Sequence, residues 1–158
     1  MTRAMPLHAL LRGIATPPPG FDPVVTGLSA DSRALRAGDA FVALAGASTH
    51  GLRHAAQAEA AGASVILFEA PAPEGQALPA NAVGVAGLRG HQGELADRFY
   101  DAPSRALHVV GVTGTNGKTS TVQLITQALA LSGATAGSIG TLGAGLHGRL
   151  VAGERTTP

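Results

Sequence analysis

The chain has 158 residues, with 11 Lys and Arg against 10 Asp and Glu, which gives a formal net charge of +1 at pH 7. This balance lacks the positive charge of a dedicated nucleic-acid-binding protein. The chain has no cysteine, which excludes a disulfide scaffold, a thiolate nucleophile and a cysteine-ligated zinc site. A hydrophobic fraction of 45% is enough for a packed core. No apolar run approaches the roughly eighteen residues that a membrane helix needs, so we expect no membrane insertion and a cytoplasmic location.

Short β-type runs alternate with longer helical stretches, which is typical of an α/β protein. The N-terminal segment predicts a short amphipathic helix before the three prolines at 17–19. The apolar runs that follow predict strands at 24–28, 41–44, 64–68 and 82–86, and helices at about 52–61 and 88–100. Polar or proline-rich loops are predicted between them, including 70–81.

Proline and small polar residues at 101–104 predict a boundary between two domains, residues 1–102 and 103–158. The second part predicts a strand at 107–112, a helix at 118–132 and a strand at 135–139, and its later glycines predict loops. A single βαβ unit cannot cover both faces of a parallel sheet. We therefore expect the chain to be the front part of a longer protein.

The strongest motif is GVTGTNGKTS at 111–120, between a predicted strand and a predicted helix. Glycines allow a tight path in which backbone N–H groups turn towards a phosphate, and the helix N-terminus adds its dipole. Lys118 adds a charge for the β- and γ-phosphates, and Thr119 adds a hydroxyl for Mg²⁺. The strict P-loop spacing requires glycine at position 112, where this chain has Val112. The motif therefore predicts a variant nucleoside-triphosphate loop, and the alternative is a glycine-rich turn with an incidental lysine.

The segment TGTNGKT at 113–119 resembles the ATP loop of the Mur ligases and their folate-ligase relatives. The segment SADSRALRAGDAFVALAGASTHG at 29–51 resembles the uridine-nucleotide domain of the same family. Within the family, SIGTLG at 138–143 and TTP at 156–158 are most similar to the type that adds a diamino acid to a peptidoglycan precursor. The ligase of the following step remains an alternative.

The resemblance implies a small uridine-nucleotide-binding α/β domain, followed by the first βαβ part of a P-loop ATP-binding central domain. It implies an ATP-dependent ligase that joins a diamino acid, meso-diaminopimelate being expected, to UDP-N-acetylmuramoyl-L-alanyl-D-glutamate through an acyl phosphate. ATP and Mg²⁺ are the implied cofactors. The implied partners are the UDP-N-acetylmuramoyl-dipeptide and a diamino acid whose site lies downstream of this chain, so we expect the chain alone to be inactive. The sequence does not separate diaminopimelate from lysine and is silent on the oligomeric state.

The resemblance also implies site residues. Lys118 takes the catalytic role and Thr119 the metal-binding role. ATP contacts fall on Gly114, Thr115, Asn116, Gly117, Lys118, Thr119 and Ser120. Substrate contacts fall on Ala30, Ser32, Ala47, Ser48, Thr49, Thr156 and Thr157. No role is assigned to Arg155.

Other interpretations remain open at this point. From the residues alone, Asp31, Ser32 and Arg33 are more typical of a capped turn with an ion pair than of a ligand site. His50 and His54 have the i, i+4 spacing of a metal pair but no third ligand, which favours histidines on a helix surface. A P-loop kinase or ATPase with an unrelated first domain, and a non-catalytic module that binds uridine nucleotide and ATP, are the rival functions.

Overall fold

The computed structural model describes residues 3–46 and 49–152. It divides into two compact units, Met1–His108 and Val109–Pro158. Within the described ranges, no helix combines the length and the apolar character needed to cross a bilayer. The domain limits of 1–102 and 103–158 remain a prediction.

The first unit is an α/β structure built on a parallel sheet. A small antiparallel pair joins β1 to β2, and a four-stranded parallel sheet has the order β3-β4-β5-β6. A 3₁₀ turn, Gly51–His54, leads directly into α2. The elements in chain order are β1 (Met5–Pro6), α1 (Leu7–Leu10), β2 (Val24–Val25), β3 (Leu28–Ser29), β4 (Ala40–Ala43), α2 (Ala55–Ala60), β5 (Val65–Ala70), β6 (Ala82–Ala86) and α3 (Leu88–Tyr100).

The two central strands, β4 and β5, are buried on both faces. Side chains of a strand alternate between faces, so Val65 and Leu67 join one core while Ile66 and Phe68 join the other. The first core is closed by α1 and α3, and the second by the 3₁₀ turn and α2. Burying each large side chain stabilises the fold by about 1.5–3 kcal/mol. The continuous apolar run at 64–68 is therefore confirmed as a buried strand.

The predicted strand at 24–28 is divided into β2 and β3, because the chain changes its partner strand between Val25 and Leu28. β2 pairs antiparallel with β1, whereas β3 pairs parallel with β4. The buried carboxylate of Asp39 lies beside this change of partner: Oδ1 accepts a bond of 3.5 Å from the Thr26 hydroxyl, and Oδ2 accepts one of 2.9 Å from the backbone N–H of Arg36. The backbone carbonyl of Asp39 accepts a further bond, of 2.9 Å, from the N–H of Ser64 at the start of β5.

Helix α3 confirms the predicted helix at 88–100. It begins after Gly87, which has a left-handed φ of 65°, and the Glu69 carboxylate accepts a bond of 2.7 Å from the N–H of Arg89. A negative charge at a helix N-terminus is stabilising. Leu88, Leu95 and Phe99 are buried along one side of the helix, against the first core of the sheet.

Helix α1 confirms the predicted N-terminal helix and depends on one distant carboxylate. Asp22 accepts a bond of 2.8 Å from the backbone N–H of His8 and makes a second contact of 2.7 Å with its Nδ1. The backbone N–H of His8, followed by its ring, lowers the pKa of Asp22 below its ordinary value of 3.8. Leu7, Leu10 and Leu11 are fully buried on the side of α1 that faces the sheet.

In the second unit the predicted helix is confirmed as α4, Lys118–Leu131. The strands are β7 (Gly137–Gly140), β8 (Gly143–Leu146) and β9 (Arg149–Val151), which form an antiparallel meander. The expectation that the later glycines mark only loops was therefore wrong. A Cβ at Gly143 would overlap with the carbonyl oxygen of Val151, so the approach of β8 to β9 requires glycine here.

The predicted strand at 107–112 is not a strand in the described part of the chain. Val109 and Val110 are 74% and 64% exposed, and the segment has no partner strand among the described residues. An apolar run favours an extended backbone, but a strand also needs a neighbour to accept and donate its hydrogen bonds.

We expect amide hydrogen exchange to be slow in Val65–Phe68 and fast in residues 108–112. The first segment is buried and hydrogen-bonded to β4 and β6, whereas the second is exposed and unpaired within the described residues. Mass spectrometry of peptides from both segments measures the difference. Equal protection would show that 108–112 is covered by another surface, such as a second copy of the chain.

We expect Asp22→Asn to remove part of the acid sensitivity of unfolding. Because folding lowers the pKa of Asp22, its contribution to stability is present above the unfolded value and is lost as the pH falls through the folded value, below about 3.8. Urea unfolding from about pH 6 to about pH 3 should show a smaller loss of stability for Asp22→Asn than for the unaltered chain. The exposed carboxylate Glu59, changed to Gln, is the matched control for the loss of one negative charge.

Candidate functional site

The phosphate-loop motif forms an open turn at the start of α4. Gly114 and Gly117 have φ values of 141° and 77°, which L side chains rarely adopt. Gly117 is the N-cap, and its carbonyl accepts a bond of 2.9 Å from the N–H of Thr121. Among the described residues no side chain caps this helix start, and its first turn has no acidic residue. The turn therefore leaves the positive end of the helix dipole available to an anion.

Lys118 lies directly over this turn. Its Nζ donates a hydrogen bond of 2.5 Å to the carbonyl of Gly114 and one of 3.3 Å to the carbonyl of Thr115. These contacts fold the lysine side chain back onto the loop. An ammonium group at this position balances the charge of an oxyanion held by the loop amides. Thr115, Asn116, Thr119 and Ser120 are exposed around it.

A cleft of about 270 Å³ adjoins the loop within the second unit. Lys118 and Thr119 line it from α4, and residues 138–143 line it from β7 and the turn that follows. In the sequence, residues 138–143 indicated only a similarity to one type of the family, and their place beside the phosphate loop was not predicted. The signal was available, because Ser138 and Thr141 are hydroxyl-bearing residues among glycines at the end of a predicted strand.

In the first unit, the predicted substrate residues follow the carboxyl ends of neighbouring strands. Ala30 and Ser32 come after β3, and Thr49 comes after β4. Carboxyl ends of parallel strands share one edge of the sheet, and this edge is where open α/β sheets bind ligands. Ala30 and Thr49 are exposed, whereas Ser32 is 8% exposed. Ala47 and Ser48, like Thr156 and Thr157, lie outside the described residues.

The triplet at 31–33 contains both a turn and a polar contact to a helix. Arg33 donates bonds of 3.0 and 2.7 Å to the two carboxylate oxygens of Asp31, so the ion pair expected from the residues alone is present. Ser32 does not take part in that pair. Its hydroxyl donates a bond of 2.8 Å to Oε1 of Gln57 on α2. Sequence analysis missed Gln57, because a contact across 25 residues leaves no local pattern.

His50 is not a helix-surface residue, and the expectation for it was wrong. Its Nδ1 accepts a bond of 3.1 Å from the N–H of Leu52 and so caps the 3₁₀ turn. Because Nδ1 is an acceptor, Nε2 carries the hydrogen and donates it to the carbonyl of Glu69, at 2.9 Å. Both ring nitrogens therefore form hydrogen bonds, and the bond to Glu69 holds His50 against β5. His54 lies at the end of the 3₁₀ turn and is exposed.

The other end of this loop is held by a cation that sequence analysis also missed. Arg89 of α3 donates from Nη2 to the carbonyl of Ala45, at 2.5 Å. Within the loop, the N–H of Gly46 donates to the carbonyl of Thr49 at 2.8 Å. The described ends of the segment that follows β4 are thus held at Ala45 by the Arg89 side chain of α3, and at His50 by the backbone carbonyl of Glu69 on β5.

A second hollow, of about 420 Å³, lies beside β3 in the first unit. Thr26, Arg36, Asp39 and Tyr100 contribute its polar lining. It contains none of the predicted substrate residues. The Asp39 carboxylate in its wall is already bonded to the backbone of Arg36, which is a structural role.

Comparison with protein families gives two matches in chain order. The Mur ligase family catalytic domain matches residues 24–100, and the Mur ligase middle domain matches residues 112–158. Two relatives are both called UDP-N-acetylmuramoyl-L-alanyl-D-glutamate–2,6-diaminopimelate ligase. The one from Xanthomonas campestris pv. campestris is 58% identical, and the one from Xylella fastidiosa (strain Temecula1) is 52% identical, each over all 158 residues. The chain spans 31% of the length of these curated relatives.

Solved structures agree with the family matches. A structure of UDP-N-acetylmuramoyl-L-alanyl-D-glutamate–2,6-diaminopimelate ligase is 28% identical with a TM-score of 0.63, over 85% of this chain and 27% of that one. The MurF ligase from Thermotoga maritima in complex with ADP is 27% identical with a TM-score of 0.51, over 66% of this chain and 23% of that one. The two family models together match most of the sequence, and the structural neighbours have the same fold, so the resemblance is confirmed: the chain belongs to the Mur ligase family.

Proposed function

We propose that this chain forms the precursor-binding domain and the ATP loop of a ligase that adds a diamino acid, meso-diaminopimelate, to UDP-N-acetylmuramoyl-L-alanyl-D-glutamate. One observation carries the proposal: the loop at 113–119 joins left-handed glycines, an uncapped helix start and the Lys118 ammonium in one turn. The names of the relatives support the substrate and the acceptor. The same proposal includes these substrates, a location in the cytoplasm, and the domain limits 1–102 and 103–158.

The residues of the loop fit a nucleoside triphosphate. Glycine at 114 and 117 keeps side chains away from the concave face, and the start of α4 supplies backbone N–H groups to phosphate oxygens. Lys118 exchanges its carbonyl partners for phosphate oxygens and balances their charge, while the Thr119 hydroxyl is the group that would hold Mg²⁺. Bound ATP supplies the phosphoryl group that activates the substrate carboxylate as an acyl phosphate. The ADP complex of the MurF relative supports this assignment.

The carboxyl edge of the parallel sheet is the proposed seat of the UDP group. Ala30, Ser32 and Thr49 are the described residues that contribute to it. The contacts of Arg89 with Ala45 and of His50 with Leu52 hold the two described ends of the 45–50 loop at this edge. Ala47, Ser48, Thr156 and Thr157 complete the proposed substrate contacts.

The following-step ligase is a less favoured alternative. Structures of that enzyme from Acinetobacter baumannii share the fold at 24% identity, whereas the relatives at 58% and 52% carry the name of the diaminopimelate-adding enzyme. Family membership removes the unrelated P-loop kinase from consideration. A non-catalytic binding module would have no ligase activity, and the next experiment measures this activity.

In the ligase that contains this chain, we expect Lys118→Ala to lower turnover by at least about 10²-fold, because the phosphoryl charge loses its cation. Binding of the UDP precursor should be largely retained, since Lys118 is not among the proposed substrate contacts. Arg105→Ala, another exposed cation, is the matched control and should keep normal turnover. Near-normal turnover in Lys118→Ala would contradict the assignment of the loop.

The composition of the chain allows a direct check without turnover. Lys118 is its only lysine, so an amine-acylating reagent reports on this side chain alone once the N-terminal amine is blocked. ATP with Mg²⁺ should slow acylation of Lys118, and UDP should not. Slower acylation of Lys118 with UDP but not with ATP would contradict the assignment of ATP to this loop.

We expect UDP and UDP-N-acetylmuramoyl-L-alanyl-D-glutamate to raise the melting temperature of the chain. A ligand that binds only the folded state stabilises it by about 2.7 kcal/mol at a hundredfold excess over Kd, which corresponds to several degrees. Thermal unfolding and calorimetry with the uridine compounds, ATP and an unrelated nucleotide measure the effect. Heat from ATP alone, with no response to either uridine compound, would contradict the proposal for the first unit.

A further inference from the structure

Ser32 is one of three buried polar residues in the described part of the chain. It lies in the turn after β3, and its hydroxyl donates to Oε1 of Gln57 at 2.8 Å, which joins the turn to helix α2. Gln57 is on the exposed side of α2, whereas its neighbours Ala55 and Ala58 face the core. The Gln57 side chain therefore does not stabilise the fold by burial, and in the described part of the chain its contact is the bond to Ser32.

This bond determines what Ser32 can offer to a ligand. A serine hydroxyl has a single hydrogen and two acceptor lone pairs. Because the hydrogen is directed to Gln57, the free capacity of the oxygen is that of an acceptor. A partner must then bring an N–H or O–H group. Fully ionised phosphate oxygens bring none, whereas a uracil imide and ribose hydroxyls do.

We propose that Gln57 is a positioning residue for nucleotide recognition: it orients the Ser32 hydroxyl so that its oxygen accepts a hydrogen bond from the nucleoside part of the substrate. The inference rests on the proposed function of the first unit and deepens it. It assigns the Ser32 hydroxyl to the nucleoside. Gln57 acts only through Ser32 and does not touch the substrate.

A double-mutant cycle with UDP as the probe tests this assignment, because coupling separates a positioning role from a general structural one. The variants of the chain are Gln57→Met, Ser32→Ala and the double substitution, and affinity is measured by calorimetry. Gln92→Met is the matched control, since Gln92 is also helical and its side chain bonds to the carbonyl of Arg89 in its own helix. Gln57→Glu retains an acceptor oxygen for Ser32 and serves as the conservative variant.

We expect Gln57→Met and Ser32→Ala each to weaken UDP binding about three- to tenfold, the value of one hydrogen bond. The double substitution should be no weaker than Ser32→Ala alone, and Gln92→Met should bind normally. Gln57→Glu should bind UDP more tightly than Gln57→Met. UMP should show the same fold-loss as UDP, because the contact is to the nucleoside.

Three results would overturn the inference while leaving the proposed function intact. They are unchanged UDP binding in Gln57→Met, losses that multiply in the double substitution, and a loss with UDP that is absent with UMP. Absence of UDP binding by the unaltered chain would instead overturn the proposed function, and this inference with it. Melting temperatures of all variants identify any that do not fold. If Gln57→Met does not fold, the deciding measurement is the UDP affinity of Gln57→Glu relative to that of the unaltered chain.

Discussion

Burial of β4 and β5 on both faces is the constraint on which the first unit depends. A strand of this kind requires covering elements on either side, so α1 and α3 close one face while the 3₁₀ turn and α2 close the other. The faces are then unavailable to a ligand. What remains open is the carboxyl edge, where the segments after β3 and β4 leave the sheet. The position of the proposed nucleotide site is thus a consequence of core packing.

Elements whose information is local could be predicted from the sequence. Helix α3 has its apolar residues on one side and ends at left-handed positions, Gly87 and Asp101, so its bounds were predicted correctly. The buried strand at 64–68 and the helix after the phosphate loop were predicted for similar reasons. In each case the residues that determine the element lie inside it or next to it.

Elements whose formation depends on a partner could not be predicted in the same way. The run at 24–28 contains no signal that it changes sheets at Thr26, because that change is imposed by pairing with β1 and β4. The glycines at 143 and 145 suggested loops, yet they permit a close approach between two strands. Conversely, the apolar run at 107–112 has strand composition but no neighbour among the described residues. Pairing, and not propensity, decided these cases.

The same distinction separates the two proposed sites. The phosphate loop is encoded in consecutive residues, since the glycines, the lysine and the helix start are adjacent in the chain and need little else to form. The nucleotide edge is assembled from distant residues: Ser32 meets Gln57, His50 meets Glu69, and Arg89 meets Ala45 across 44 positions. A motif identifies the first kind of site directly. The second kind is recognised only when the fold shows which side chains hold the motif residues, and such supporting residues determine whether a serine acts as a donor or as an acceptor. For this reason the phosphate loop could be recognised within one short segment, whereas the proposed uridine site also depends on contacts between residues that are distant in the sequence.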